Sequence, residues 1–410
     1  MKEKKICIIG GGLSGLIAAN RLYEKLGTTV HITLLEKEKK LGGRVVTKTF
    51  KNCPIEIGAQ FFVDGQEMHK LIQRLHLESD VISLERKFIS FHHNNSTCKE
   101  LDKLDFFNKT SEEETKKLHN FATSMRINEE LLSDSFERWY TKHIGSDMLS
   151  FWNRLFMSIG VKDVNSINGY FGLILVNVFF GKNYLLRSGM EGIIKKLEQN
   201  LASNHTEIIT DAECTTIEKR DNEFRVTYLK ENQRKELRSD KVIFAGKPTD
   251  LESVVDTKIK KYCDSITGHP MTLYVLECNV QLWEKTWGLI NIEQQSPVYA
   301  LCDWRNVMNA DKNSPILAIC SPYANEDEIL AEMHRLFRRY NPTFSIIYKK
   351  EWDIGLHQAD ADFFTIPKVI QEHLPEGLYL AGDWITLPAL EGALISGGKA
   401  AERAIKGLET

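Results

Sequence analysis

Apolar and polar positions along the chain follow a few distinct rhythms. Ile6–Ile9 is an unbroken apolar run, suited to a strand buried on both faces. Leu16, Ala19, Leu22 and Leu26 then recur at three- and four-residue spacing and predict a helix over 16–26. "VHITLLE" (30–36) reads as a second strand. Near the other end, 378–381 reads as a strand and 391–405 as a helix rich in Gly392, Ala393, Ser396, Gly397 and Gly398, which permit close packing. Between these ends, 212–246 reads as two strands, a polar hairpin and a returning strand, "KVIFAG". Helical spacing dominates "QEMHKLIQRLHL", "SEEETKKLHNFATSMRINEELL" and "SFERWYTKHIGSDMLSFWNRLFMSIG". Strands are expected over 270–280 and 314–320. The longest apolar run, 167–181, holds two asparagines and three glycines and is too short to span a bilayer. It reads first as a core helix, with the lining of a substrate cavity or a membrane-touching face as alternatives.

Composition narrows the class. The 410 residues suffice for two or three domains or one interleaved pair; 42% are apolar and 27% charged, as in a globular protein. The net charge of −3, with both signs mixed, gives no footprint for nucleic acid. Eight cysteines are scattered without a CxxC and without zinc spacing to histidine, so no metal site is expected. Scattered thiols fit a reducing, cytoplasmic setting. His92-His93 reads as a polar turn and His143 as part of a charged helix, both at the surface.

The chemistry concentrates in the first forty-five residues. The first strand ends at Gly10-Gly11-Gly12-Leu13-Ser14-Gly15, which contains G-x-G-x-x-G and leads into the predicted helix. Strand, glycine turn, helix, strand is the context that makes the pattern a dinucleotide fingerprint. Gly10 suits the tight turn, Gly12 the approach of a pyrophosphate, and Gly15 close packing of helix on strand. The helix start offers free N–H groups and a partial positive charge to the phosphates. Glu36 closes the second strand, where a carboxylate can accept the adenosine ribose hydroxyls. This much fits NAD or FAD equally.

"LGGRV" (41–45) separates the two. Together with the fingerprint and the acid, Gly42-Gly43-Arg44 resembles the flavin amine oxidase superfamily, which includes monoamine oxidases, protoporphyrinogen oxidase, phytoene desaturase and renalase relatives. That resemblance implies a Rossmann-like α/β fold with FAD on Gly10, Gly12, Leu13, Ser14, Gly15, Glu36, Lys37, Gly43 and Arg44. It places Gly58, Ala59 and Gln60 of "IEIGAQFF" beside the isoalloxazine and Cys214 beside the adenine. At the other end, "GLYLAGDWITLPALEGALISGG" implies Gly382 and Asp383 at the ribityl chain. It also implies Glu391, Gly392 and Ala393 at a helix start aimed at the flavin. Trp352, His357, Gln60 and Trp384 are the candidates for the flavin face. No cysteine follows Cys320, so non-covalent FAD is expected. Amine-oxidising members commonly carry a lysine on a substrate-domain strand; the matching "HPMTLYVLE" has none.

The expected layout is an α/β chain in which the FAD-binding domain (1–65, 185–250 and 345–410) is interleaved with a mixed α+β substrate domain (66–184 and 251–344). Three activities remain open on the sequence. The first is an FAD-dependent oxidase or dehydrogenase of a small apolar or amine-type molecule, desaturase-like or renalase-like. The second is a reduced-flavin isomerase or dehydratase without net redox turnover. The third is a non-catalytic flavin-binding redox sensor. The expected partner is a small-molecule substrate, with neither nucleic acid nor a transmembrane segment, and with peripheral membrane contact left open.

Overall fold

The structure, a computed structural model, describes residues 3–85, 87–94, 96–104, 106–124, 127–202, 206–255, 258–308, 310 and 313–409. Lys4–Ile9 lies at the centre of a five-stranded parallel sheet. Its neighbours are Val30–Leu35 and then Thr206–Ile209 on one side, Lys241–Phe244 and then Leu378–Leu380 on the other. Strand alternation divides the packing between two faces. Ile6, Ile8, Ile32 and Leu34 face the helices Leu13–Leu26, Glu191–Ala202 and Leu390–Glu409. Cys7, Ile9, Leu35 and Phe244 face an antiparallel meander, Ala212–Arg220, Glu223–Lys230 and Gln233–Ser239, through Phe224, Val226 and Tyr228. A parallel sheet covered on both faces is what its continuous apolar strands require.

A second sheet has seven strands in the order Phe344–His357, Gly268–Cys278, Ile316–Cys320, Val298–Cys302, Gly288–Asn291, Ile89–His93, Ser96–Cys98. Tyr274, Leu276, Ile316 and Ala318 pack on the helix Glu326–Leu336, which a capping box between Asn325 and Glu328 starts. The other face, with Leu273, Val275, Leu317 and Ile319, belongs to the core built by Phe136, Trp139, Phe151, Trp152 and Phe156 of the helical insert. The run 167–181 forms the helix Gly169–Phe180, buried through Phe171, Leu173, Leu175, Val176 and Phe179, as the core reading expects.

One expectation needs correction. His92 does not sit in a surface turn: it lies in the strand Ile89–His93, 1% exposed, with burial pulling its imidazole down to about 4. Its strand pairs in parallel with Gly288–Asn291, a partner nearly two hundred residues away that local polarity does not reveal. The helical insert likewise carries short strands, Val81–Ser83 and Asn183–Leu186 among them. His143 ends the helix Phe136–His143, with Nε2 2.9 Å from Glu130 Oε1. The strand Phe344–His357, grouped on sequence with the dinucleotide half, is hydrogen-bonded into the seven-stranded sheet against Gly268–Cys278. Among the described residues, no helix is long and apolar enough to cross a membrane.

Candidate functional site

The first element of the site is the turn between Lys4–Ile9 and Leu13–Leu26. Gly10 has φ +107°, and a Cβ there would stand 2.7 Å from the Ala245 carbonyl oxygen. A Cβ on Gly15 would lie 2.0 Å from the Gly10 oxygen, so helix and turn meet only because that side chain is missing. Gly12 differs: a Cβ there would find only Gly43 Cα, at 3.9 Å. Gly12 is also the N-cap of the helix, with no side-chain cap and no acidic residue in the first turn. An open, side-chain-free surface before uncapped N–H donors suits a diphosphate.

The rim of this cradle is fixed by the segment after the second strand. Glu36 is 7% exposed and spends both oxygens on backbone donors: Gly11 N–H gives 2.6 Å to Oε2 and Glu38 N–H 2.8 Å to Oε1. Burial pushes its carboxyl above the usual range, and those two N–H groups pull it back only in part. Each oxygen keeps a lone pair for a further donor such as a hydroxyl. The meander approaches here, with Ala212 N–H donating to the Glu36 carbonyl at 2.9 Å. Two residues on, Cys214 stands at a bulge, its thiol pushed up to about 12 by burial. Lys37 points elsewhere: its ammonium is 3.0 Å from Asp250 Oδ2.

Arg44 joins the two ends of the chain. The turn that carries it leans on the cradle, with Gly42 N–H donating to the Gly11 carbonyl at 2.8 Å. From there its guanidinium donates to Asp383 Oδ1 at 2.6 Å. His357 Nε2 stands 3.8 Å from the same oxygen, with the imidazole only 2% exposed. Burial alone would raise the Asp383 carboxyl; Arg44 and His357 outweigh it and hold the group below the usual carboxylate range. The His357 imidazole is pulled below its ordinary value by burial, against the attraction of Asp383. Asp383 is positioned by the strand Leu378–Leu380 and by Gly382, whose N–H donates to Ser396 Oγ of the last helix at 3.0 Å.

Alongside Arg44 runs the Gly58-Ala59 segment. Ala59 N–H donates to the Arg44 carbonyl at 2.8 Å, and a Cβ on Gly58 would stand 2.0 Å from that oxygen. The Trp352 indole N–H donates to the Ile57 carbonyl at 2.7 Å, tying the edge strand of the larger sheet to this segment. Past it, Gln60 Oε1 lies 3.9 Å from Cys302 Sγ. Phe61 then meets Phe88 and Trp287 at ring distances of 5.0 and 5.8 Å. Sequence reasoning missed this aromatic wall because Phe88, Trp287 and Cys302 come from separate strands and loops.

Several expected site residues have other occupations. Glu391 reaches back to the insert, accepting from Glu67 N–H at 2.7 Å and Met68 N–H at 3.0 Å, and so caps the helix Gln66–Arg74. Trp384 is 1% exposed, with its indole N–H donated to the Gly246 carbonyl at 3.0 Å. Gly392 and Ala393 lie in the helix Leu390–Glu409, and a Cβ on Gly392 would stand 2.0 Å from the Leu387 oxygen. Sequence reasoning also passed over Gln358, which receives Lys162 N–H at 2.9 Å and donates to the Gly160 and Leu356 carbonyls, fixing the backbone beside His357. Glu56 was missed as well. It is 2% exposed, accepts from Met190 N–H and Thr47 Oγ1 at 2.8 Å each, and anchors the start of Glu191–Ala202.

A family model described as flavin containing amine oxidoreductase matches residues 13–405. The chain belongs to the flavin-containing amine oxidoreductase family. Among curated relatives of this family member, coproporphyrinogen III oxidase of Mycobacterium bovis is 38% identical over 78 residues. That stretch is 19% of this chain and only 17% of the length of the relative. Among solved structures, the CLA-producing fatty acid isomerase from P. acnes superposes with a TM-score of 0.78 at 14% identity, covering 98% of this chain and 99% of that one. Putrescine oxidase bound to putrescine gives a TM-score of 0.72 at 16% identity, with coverage of 98% and 99%. These structural likenesses show that the family member shares the fold of the fatty acid isomerase and of putrescine oxidase.

Proposed function

We propose that the chain binds FAD without a covalent bond and oxidises a C–H bond of a small apolar or amine-type molecule. The observation that carries this reading is the hydrogen-bonded link from the open glycine cradle, through the Gly42–Gly11 backbone bond and Arg44, to Asp383 at the other end of the chain. Gly10, Gly12 and Gly15 shape the turn, and the N–H groups at Leu13 and Ser14 face the diphosphate. Glu36 uses its remaining lone pairs on the adenosine ribose, and the bulge at Cys214 borders the adenine. Asp383 accepts from the ribityl hydroxyls. Gly58, Ala59 and Gln60 border the ring, with Trp352 bracing that segment through its bond to Ile57.

Bound flavin supplies the electron-pair acceptor for a hydride leaving the substrate carbon. The protein's own part is to bind, orient and keep water out. Phe61, Phe88 and Trp287 form a dry wall past Gln60, and an apolar wall holds the reacting carbon while strengthening local electrostatics. Glu391 and Trp384 act at one remove: the first pins the last helix to the insert, the second packs beneath Gly382.

A second reading is isomerisation or dehydration on reduced flavin. It is supported by the structural likeness to the CLA-producing fatty acid isomerase, whereas the strand Gly268–Cys278, which carries no lysine, weighs only against an amine-type substrate in the first reading. The test is anaerobic mixing of the purified chain with candidate amines, dihydronicotinamides and polyenes while flavin absorbance is followed. Bleaching with one class supports oxidation of that class. Absence of bleaching with all of them, with turnover only after prereduction, supports the second reading instead.

A further inference from the structure

We propose that His357 is the reserve counter-ion of Asp383, taking up a proton when the diphosphate of FAD settles on the glycine turn and draws on Arg44. The proposal rests on the flavin reading above. The Arg44 guanidinium grows from the turn whose backbone bonds to Gly11, and it donates to Asp383 at 2.6 Å and to the Gly355 carbonyl at 3.5 Å. Arg44 is the looser partner, its side chain 34% exposed against 11% for Asp383. His357 Nε2 is already 3.8 Å from the shared oxygen, and Nδ1 makes no hydrogen bond of acceptable geometry among the described residues.

The charges around the imidazole are few. Asp383 and Arg44 face it from the last strand and the arginine turn, and Lys247 from beyond the fourth strand of the parallel sheet. Lys247 is itself 3.9 Å from the exposed Asp353, and the Thr267 backbone lies alongside the ring. Arg44 and Asp383 cancel each other as a pair. A diphosphate adds about two negative charges to a region of low dielectric, where the cost of imbalance is highest. A proton from solvent on His357 restores one positive charge, and the imidazolium and carboxylate then attract directly. The carboxylate stays ionised and in place while Arg44 is shared. His357 is in this sense a positioning residue, acting on the cofactor through Asp383.

The test is calorimetric titration of FAD into the full chain, freed of flavin, in two buffers of different ionisation enthalpy near neutral pH. Uptake of up to about one proton per FAD is expected, with log Kd rising by up to about one per pH unit across the histidine range. His357→Gln should bind FAD with equal heats in both buffers and a flattened pH profile. Asp383→Asn, which keeps the imidazole but removes its carboxylate, should also lose the uptake. Equal heats for the unaltered chain overturn the proposal without a variant. Undiminished uptake in His357→Gln also overturns it and assigns the proton to another buried acid such as Glu36 or Glu56. A chain that binds no FAD in either buffer fails the flavin reading itself, and the proposal with it.

Discussion

The Glu391 carboxylate accepts the N–H groups of Glu67 and Met68 at 2.7 and 3.0 Å, so the last helix of the chain caps the first helix of the insert. Gly65 allows this contact, since a Cβ there would stand 2.5 Å from Glu391 Oε2. Replacing Glu391 with alanine should cost about 1–2 kcal/mol, the usual penalty for a lost helix cap. FAD affinity should change little, because the carboxylate is committed to the helix. Urea unfolding alongside an FAD titration checks both halves.

The glycine turn separates folding from binding within one motif. Gly12→Ala places a methyl group in the open cradle and should cost about 1 kcal/mol in stability, as alanine is a poor N-cap. It should nonetheless weaken FAD binding severely by filling the space a phosphate needs. Gly15→Ala drives a methyl group against the Gly10 oxygen and should destabilise the fold by about 1–3 kcal/mol or more. Thermal unfolding with and without FAD distinguishes them: Gly12→Ala loses the ligand-induced rise, Gly15→Ala lowers the baseline.

Glu56 makes stability depend on pH. Burial raises its carboxyl from the ordinary 4.5 to about 8, against the donors Met190 N–H and Thr47 Oγ1. A carboxyl that holds its proton more tightly when folded stabilises the fold below its unfolded value. That contribution is lost as pH rises toward the folded value. Between about pH 4.5 and 8 this group alone should lower stability by up to about 1.4 kcal/mol per pH unit. Glu56→Gln should remove that part of the slope and gain on the parent chain at alkaline pH, as read from urea midpoints.

Local physics made the cradle readable in advance. A buried strand, a glycine turn and an amphipathic helix are each encoded by neighbours, and the strand Lys4–Ile9 and helix Leu13–Leu26 follow that code. Arg44 and Asp383 were each readable as flavin-fingerprint positions. Their hydrogen bond, across 339 residues, was not. Glu391 shows the same gap: its hydrogen bond to the Glu67 N–H, 324 residues upstream, is not legible from the acid at a helix start. The strand Phe344–His357 alternates between half-buried and exposed positions, and only its pairing with Gly268–Cys278 reveals its sheet. We propose on that basis that the division between the two halves falls after His357 rather than at 345.

The central claim is that this chain holds an unlinked FAD between its glycine turn and Asp383. The direct measurement is the visible spectrum of the purified chain supplied with FAD and freed of excess by gel filtration, followed by acid precipitation. A yellow protein carrying about one FAD per chain, with all the flavin released into the supernatant, is the predicted result. A colourless protein after gel filtration, or flavin that stays with the precipitate, contradicts it.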